Sequence, residues 1–206
     1  MKVLLINGSP HEKGCTYTAL SLIAGELNAA GIETEILNVG TKPVGGCIGC
    51  GGCRSGNGCV FGGVVNEAIE KAKTADAFVF GSPVHYASAA GNMASFMDRL
   101  AYAGGKYLAY KPAAICCSAR RAGTTSTLDQ LVKYPEFFHM PLVSGSYWPM
   151  VHGSNPEQVL QDAEGCAVMQ ELGRNMAWLL RCIEAGKAAG IQHPENPRRP
   201  MTNFIR

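Results

Sequence analysis

Residues 2–18 read KVLLINGSPHEKGCTYT, and this stretch decides which fold the chain adopts. Its first part, Lys2–Asn7, carries an apolar run that ends at Gly8-Ser9-Pro10, which is typical of a strand buried on both faces. An amphipathic helix is predicted from Thr16 to Ala30. The stretch therefore predicts a strand, a polar loop and a helix, the opening unit of a parallel α/β sheet.

The same alternation continues along the chain. Further strands are predicted at residues 33–39, 77–80, 112–118 and 141–147, and further helices at 65–75, 92–103, 124–134 and 156–187. This order predicts a doubly wound parallel sheet with helices on both faces. We expect one domain over residues 1–190, with a cysteine-rich insertion at 43–63. A proline-rich C-terminal arm at 191–206 is expected to cross the surface or to reach another subunit.

Composition argues against several classes of protein. The chain has 206 residues and a net charge of +2, and it has no run of adjacent basic residues longer than a pair such as Arg198-Arg199, so nucleic-acid binding has little support. The nine cysteines are an odd number, and Cys116-Cys117 lies in an apolar run, which favours reduced thiols over a disulfide framework. The first apolar stretch is too short for a signal sequence or a membrane span. We therefore expect a cytoplasmic protein without a membrane or nucleic-acid partner.

The loop after the first strand predicts a phosphate site. It leads directly into a helix, whose first N–H groups, together with the hydroxyls of Ser9, Thr16 and Thr18, suit an anion. The Walker and G-x-G-x-x-G patterns both fail here, and no cysteine is followed by Arg six positions later. An ordinary polar loop with a helix cap is the alternative.

Two more loops of unusual composition follow later strands. Residues 82–93 place an aromatic ring, Tyr86, and several backbone N–H groups where a planar ligand could bind. Residues 118–123 add Arg120 and Arg121, which can meet a phosphate group or remain solvated surface charges. Because ligands bind at the carboxyl ends of parallel strands, we expect the three loops to form one site.

A third feature is the cysteine run C-x2-C-x2-C-x5-C. Its members are Cys47, Cys50, Cys53 and Cys59. The number of thiols matches a [4Fe–4S] cluster, and the surrounding glycines allow a tight fold around it. Zinc more often uses two separated C-x2-C pairs, and reduced or disulfide-paired thiols are further alternatives.

These motifs together resemble the flavodoxin-like NADPH-dependent FMN reductases, and within them the iron–sulfur flavoproteins. The resemblance covers essentially the whole chain. It is carried by Gly8-Ser9-Pro10 with Gly14 and Thr16, by Ser82–Tyr86 leading to Asp98-Arg99, by the cysteine run, by Tyr147 and His152-Gly153, and by residues 202–206. It implies a five-stranded parallel sheet of order 2-1-3-4-5 that binds FMN.

The resemblance also assigns roles to single residues. The FMN phosphate would contact Ser9, Gly14, Cys15, Thr16 and Tyr17, the isoalloxazine would contact Pro83, Val84, His85 and Tyr86, and the far side of the ring would be bordered by Ser118 and Gly123. The family often has a basic residue at the position of His11 and Asn at that of Cys15, so two phosphate partners are weaker here. No catalytic side chain is expected, because N5 of the flavin accepts hydride itself, although His85 and His152 are candidates to line the site.

The function implied is an oxidoreductase that passes reducing equivalents from NAD(P)H through FMN to a small acceptor such as a quinone, a nitro or azo compound, or free flavin. The alternative is an iron–sulfur flavoprotein that relays single electrons from ferredoxin through a [4Fe–4S] cluster held by the four cysteines. A non-redox FMN-binding module is a third class. A homodimer or homotetramer is expected. Asp98 and Arg99 are expected to form a structural or interface ion pair.

Overall fold

The computed structural model describes residues 1–197 and residue 202, so the basic pair Arg198-Arg199 and the motif residues 203–206 lie outside the described residues. The described part folds around one sheet. Its strands are β1 Lys2–Asn7, β2 Glu33–Asn38, β3 Ala77–His85, β4 Ser88–Ala89, β5 Ala113–Ala119 and β6 Met150–His152. The order β2-β1-β3-β5-β6 is parallel throughout, and β4 pairs antiparallel with the end of β3. Apart from that short hairpin strand, this is the predicted order, and the predicted fold class is confirmed.

Helices cover both faces of the sheet. They are α1 Cys15–Ala29, α2 Val64–Thr74, α3 Gly91–Gly104, α4 Thr124–Phe137, α5 Pro156–Val159 and α6 Ala163–Ala188, with short 3-10 turns at Gly52–Ser55 and Gly105–Tyr107. Alternate residues of β1 enter different cores: Val3 and Leu5 pack with α1 and α6, whereas Leu4 and Ile6 pack with α2, α3 and α4. Both faces of the strand are thus buried, which explains its continuous apolar pattern.

The prediction of a fifth strand at residues 141–147 was wrong. Leu142 forms only an isolated bridge with Ala113, and the strand that pairs with β5 is β6 at residues 150–152. Between these points the chain leaves the sheet, because Glu171 on α6 accepts hydrogen bonds from both the backbone N–H and the hydroxyl of Ser146, at 2.8 and 2.7 Å. The sequence pattern of a segment can therefore predict a strand even when a contact with a distant side chain keeps the segment out of the sheet.

Two other boundaries differ from prediction. The helix expected at 156–187 is divided into α5 and α6, because Asp162 accepts the N–H of Gly165 at 3.0 Å and starts a new helix. The third strand continues to His85, beyond the predicted end at Phe80, and turns back as a hairpin.

Two further expectations concern the surface and the C-terminus. In the described part of the chain, no helix combines the length and apolar composition that a membrane span requires. The arm predicted at 191–206 is described to residue 197 and at 202, and His193 there stacks on the Tyr110 ring at a centroid distance of 4.4 Å. The division of the chain at residue 190 stays a prediction.

Candidate functional site

The three loops singled out in the sequence lie side by side at one edge of the sheet. In the sheet, β2 lies on one side of β1 and β3 lies on the other side. The direction in which successive strands are added therefore reverses between β1 and β3. Asn7 pairs with Gly81, and Pro83 pairs with Ser118, so the carboxyl ends of β1, β3 and β5 lie at the same edge of the sheet. This is the crevice at which open α/β sheets bind ligands.

The first loop is fixed by its own hydrogen bonds. The buried Ser9 accepts the backbone N–H of His11 at 3.1 Å. The side-chain amide of Asn7, which is fully buried, donates to the carbonyl of Glu12 at 3.2 Å and to the amide oxygen of Asn38 at 2.8 Å. Sequence reasoning treated Asn7 only as the end of a strand, whereas the structure shows that it shapes the loop.

The loop delivers the N-terminus of α1 without a cap. Gly14 is the N-cap and makes no side-chain cap hydrogen bond, and the first turn of α1 contains no acidic residue. The first N–H to reach a carbonyl of the helix is that of Thr18, which bonds the Gly14 carbonyl at 3.0 Å. The N–H groups of Cys15, Thr16 and Tyr17 therefore lie before the first intrahelical bond and suit a phosphate dianion.

Gly14 is required by the tightness of this turn, because a Cβ there would lie 2.9 Å from the Cβ of His11. The turn brings the exposed His11 beside the start of α1. The residues present thus fit a phosphate mainly through backbone N–H groups and the helix dipole.

The side chain of Thr16 joins two of the loops, and its contact with a phosphate stays a prediction. Its buried hydroxyl lies 2.8 Å from the buried hydroxyl of Ser118, so the pair joins the first loop to the end of β5. Thr16 can still offer its backbone N–H to an anion. The Cys15 thiol donates to the Gly153 carbonyl at 3.6 Å, and burial, with the Glu157 carboxylate nearby, raises its pKa. A neutral thiol beside an anion site avoids charge repulsion.

The second loop is a tight hairpin between β3 and β4. His85 pairs with Ser88, so Tyr86 and Ala87 form its tip, with φ of +50° and +58°. Residues other than glycine rarely adopt this left-handed conformation, which primed hairpin turns require. The Tyr86 side chain is fully exposed, at 105%. A strained turn that presents a bare aromatic ring is a suitable stacking surface for a planar ligand.

Helix α4 holds this hairpin. The hydroxyl of Ser126 donates to the Ala87 carbonyl at 2.7 Å, and the Gln130 side-chain oxygen accepts the Ala89 N–H at 2.9 Å and the Ser88 hydroxyl at 2.7 Å. Sequence reasoning missed Ser126 and Gln130, because their spacing along a helix looks like an ordinary polar face.

Gly123 completes the contact between the second and third loops. It has φ of +90°, and a Cβ there would lie 2.6 Å from the Cα of Ala87. The predicted residues of all three loops are therefore brought to one edge. His152 lies beside Ala119 at the end of β6, with Nδ1 3.5 Å from the Asp162 carboxylate, and Arg120 and Arg121 are exposed there.

The four cysteines of the run line a separate cavity of ≈ 290 Å³, between the loop that follows β2 and the side of α3. Cys47 and Cys50 are exposed, Cys53 and Cys59 are half-buried, and all four are free thiols. Asn66 on α2 fixes Cys59, accepting its N–H at 2.8 Å and donating to its carbonyl at 3.0 Å. The Cys53 thiol donates to the Tyr102 carbonyl at 3.6 Å.

The arrangement of the thiols bears on which metal group fits. Among the residues that the structure describes, no three His, Cys, Asp or Glu side chains are grouped so as to hold a single metal ion. A zinc ion needs its thiolates at about 2.3 Å from one point. A [4Fe–4S] cluster binds each thiolate at a different iron and so spaces them more widely. The four thiols line one common cavity, which is compatible with a cluster that takes four thiolate ligands.

Arg99 of α3 also lines this cavity. Its Nε–H donates to the Cys59 sulfur at 3.2 Å, and its two terminal nitrogens donate to the carbonyls of Gly62 at 2.9 Å and Gly45 at 3.4 Å. Asp98 instead accepts the Tyr134 hydroxyl at 2.6 Å. The expected Asp98–Arg99 ion pair is not formed within the described part of the chain.

Comparison with known proteins places this geometry in a family. The family model described as NADPH-dependent FMN reductase matches residues 1–155. The chain belongs to this family. An iron–sulfur flavoprotein of Archaeoglobus fulgidus is 30% identical over 196 residues, covering 91% of this chain and 96% of that protein. One of Methanocaldococcus jannaschii is 28% identical over 192 residues, covering 89% and 100%.

The iron–sulfur flavoproteins are therefore the subgroup of the FMN reductases to which the chain belongs, and it is a flavoprotein oxidoreductase. Among solved structures, RosB with bound 8-demethyl-8-formylriboflavin-5'-phosphate superposes with a TM-score of 0.67 at 14% identity, covering 100% of this chain and 95% of that one. The likeness shows a shared fold. Family membership supports FMN as a cofactor.

Proposed function

We propose that this flavoprotein oxidoreductase binds FMN at the three-loop edge and a [4Fe–4S] cluster in the cysteine cavity, and that it receives single electrons from a small iron–sulfur protein of the ferredoxin class. The observation that carries the proposal is the cavity that Cys47, Cys50, Cys53 and Cys59 line together. The names of the two curated relatives support it.

At the three-loop edge, the chain would bind and orient the cofactor. The N–H groups of Cys15, Thr16 and Tyr17 would hold the phosphate, with Ser9 and Gly14 shaping the loop around it. FMN would supply a ring that accepts electrons singly or as a hydride pair. The described side chains supply position rather than acid–base chemistry, and His85 and His152 would line the site.

The hairpin would form the wall of the ring site. Backbone groups of Pro83–Tyr86 would face the polar edge of the ring, and Ser118 and Gly123 would border its other side. The bonds from Ser126 and Gln130 keep this wall in place before any ligand arrives, which limits the entropy lost on binding.

In the cysteine cavity, the four thiolates would hold the cluster, and the bonds from Asn66 and Arg99 would orient Cys59. A cluster there would supply one-electron transfer. The apolar lining from Ile48, Val60 and Phe61 would shield part of the site from water.

A second candidate donor is NAD(P)H, with a quinone, a nitro or azo compound, or free flavin as acceptor. It is favoured by the exposed Arg120 and Arg121, which lie at the same edge as the ring wall and can meet a nucleotide phosphate. A two-electron donor needs access to the ring but no cluster.

The test is anaerobic purification followed by iron, sulfide and FMN analysis, and then reduction by ferredoxin or by NADPH, monitored by visible absorbance. We expect iron and sulfide in equal amounts, and flavin bleaching by reduced ferredoxin. Iron-free protein that NADPH bleaches rapidly would favour the second candidate. Bound FMN that neither donor reduces would indicate a non-redox FMN-binding module, and failure to bind FMN would contradict the site itself.

A cysteine variant separates the two sites. Cys53→Ser should abolish cluster assembly but leave FMN binding unchanged, because the cavity and the three-loop edge share none of their lining residues. Cys182→Ser is the matched control, since Cys182 is an exposed thiol on α6 outside the cavity, and it should retain both groups. Equal iron content in the two variants would contradict the proposed cluster site.

We further propose that the protein is a cytoplasmic homodimer or homotetramer. Light scattering of the native protein would give its mass, and a monomer would contradict the expected assembly.

A further inference from the structure

Arg99 is a buried charge, only 5% exposed. Within residues 1–197 and 202, no Asp or Glu carboxylate lies within ion-pair distance of it. Taking a guanidinium out of water is costly unless a counter-charge accompanies it. A buried arginine without a carboxylate partner is therefore a position at which an anion from another source would be stabilised.

The groups in contact with Arg99 identify that source. Its terminal nitrogens bond the carbonyls of Gly45 and Gly62, which are neutral, and its outer face lies over the Phe61 ring at 5.4 Å. Its Nε–H points at the Cys59 sulfur at 3.2 Å, the one contact in this set that can become an anion. The guanidinium is therefore aimed at a thiolate position.

The charges around the cavity agree with this reading. Its lining contains four cysteines and two arginines, Arg99 and Arg54, and none of the described lining residues is Asp or Glu. Thiolates bound to a cluster supply the missing negative charge in a partly enclosed space, where electrostatic attraction is strong.

We propose that Arg99 is the counter-charge of the cluster in this cavity and sets its reduction potential, a proposal that rests on the proposed function. Reduction of the cluster by one electron from the donor protein adds one negative charge at the cavity. A buried positive charge that also donates an N–H···S bond stabilises the reduced form more than the oxidised form. Arg99 therefore raises the potential and makes electron uptake easier.

A purely structural role makes a different prediction. The bonds to Gly45 and Gly62 tie the two ends of the cysteine loop together, so a structural brace would stabilise the protein equally with and without the cluster. A counter-charge instead stabilises only the cluster-bound protein. In the apoprotein it is an uncompensated buried charge, and an apolar residue of similar length should be tolerated there.

The experiment compares Arg99→Met and Arg99→Lys with the wild type after anaerobic cluster reconstitution. Arg54→Met is the matched control, since Arg54 is exposed on the same cavity and its side chain makes no described bond to a cysteine sulfur. EPR-monitored redox titration gives the midpoint potential, and urea denaturation gives the stability of the apoprotein. Both readouts are independent of turnover.

We expect Arg99→Met to lower the reduction equilibrium constant at least tenfold, which is a fall of about 59 mV for one electron. Arg99→Lys, which keeps the charge but loses the planar fork, should fall between Arg99→Met and wild type. Arg54→Met should shift the potential less than Arg99→Met. The urea midpoint of the Arg99→Met apoprotein should be equal to or above that of wild type.

An unchanged potential in Arg99→Met, or a loss of apoprotein stability without a shift in potential, would overturn the counter-charge role and favour the brace. If Arg99→Met does not fold, an Arg99→Lys potential equal to that of wild type overturns the role as well. Wild-type protein that takes up no iron would refute the proposed cluster itself, and Arg99's role with it. Metal analysis of the wild type separates that outcome from the others.

Discussion

Gly123 is the position at which a single methyl group should do most damage to the ring site. Its φ of +90° lies in the left-handed region, and an alanine Cβ would approach the Cα of Ala87 to 2.6 Å and Cγ1 of Val84 to 2.9 Å. The first of these neighbours is backbone, so the hairpin tip that carries Tyr86 must shift to make room.

The cost of Gly123→Ala has two parts. A non-glycine residue in the left-handed conformation costs about 1–2 kcal/mol, and overpacking against a neighbouring segment costs about 1–3 kcal/mol. We therefore expect the free energy of unfolding to fall by about 2–5 kcal/mol. Displacement of the hairpin should also weaken FMN binding at least tenfold, equivalent to about 1.4 kcal/mol.

The matched control is Gly25→Ala, the same substitution on the exposed face of α1. A Cβ at Gly25 would meet no atom within 4 Å, and the residue is helical. Because alanine favours a helix over glycine, this variant should gain about 0.5–1 kcal/mol. The two variants thus differ in sign as well as in size.

Urea denaturation followed by far-UV circular dichroism measures the stability of both apoproteins, and flavin fluorescence titration measures their FMN affinity. The reasoning is refuted if Gly123→Ala proves as stable as Gly25→Ala, since the strain and the close approach would then not exist. Wild-type FMN affinity in Gly123→Ala would instead show that the hairpin tip is not part of the ring site.

Three further predictions follow from other contacts. Thr16→Val removes a buried hydroxyl bonded to Ser118 and should lower the free energy of unfolding by about 1–3 kcal/mol. The double variant Thr16→Val/Ser118→Ala should lose less stability than the sum of the two single variants. Additive losses in this double-mutant cycle would mean that the two hydroxyls do not interact. Gln130→Leu removes the side-chain oxygen that accepts hydrogen bonds from the hairpin, and it should weaken FMN binding about tenfold with helix content unchanged. An unaltered FMN affinity would show that these bonds do not hold the hairpin in its binding position. The hydrogen bond to Lys2 is the main reason why the pKa of Glu35 lies below its usual 4.5 in the folded protein. The ionised carboxylate therefore stabilises the fold at pH values above 4.5, and this stabilisation is lost as the pH falls through the lower pKa of the folded state. Glu35→Gln should therefore cost at most about 1 kcal/mol in urea denaturation at neutral pH and nothing in strong acid, and an equal loss at both would contradict the ion pairs.

The sheet could be predicted because its signals are local. Val3–Asn7 and Ala77–Phe80 are buried on both faces, so these strands can be recognised without knowledge of their neighbours. The segment at 141–147 has a similar apolar pattern, but the contact of Ser146 with Glu171 on α6 holds it away from the sheet. Apolar pattern alone cannot distinguish a paired strand from a segment that a distant side chain displaces.

The candidate site shows the same division. Glycines and hydroxyls before α1 predict an anion site because an uncapped helix N-terminus is built from consecutive residues. The hydrogen bonds that hold the hairpin were not predictable, because Ser126 and Gln130 lie 39 and 41 residues from the backbone groups that they bond. Such a pair is created only when β3 and α4 pack side by side.

The sequence by itself determined the parallel α/β fold, the three loops that meet at its carboxyl edge and the spacing of the four cysteines, since each depends on residues close together in the chain. Only the tertiary structure decided that the cysteines share one cavity with the buried Arg99, 40 residues beyond Cys59. The pattern of α3 shows that Arg99 is helical. The groups that its guanidinium contacts depend on how the cysteine loop packs against that helix. No local sequence pattern predicts this packing.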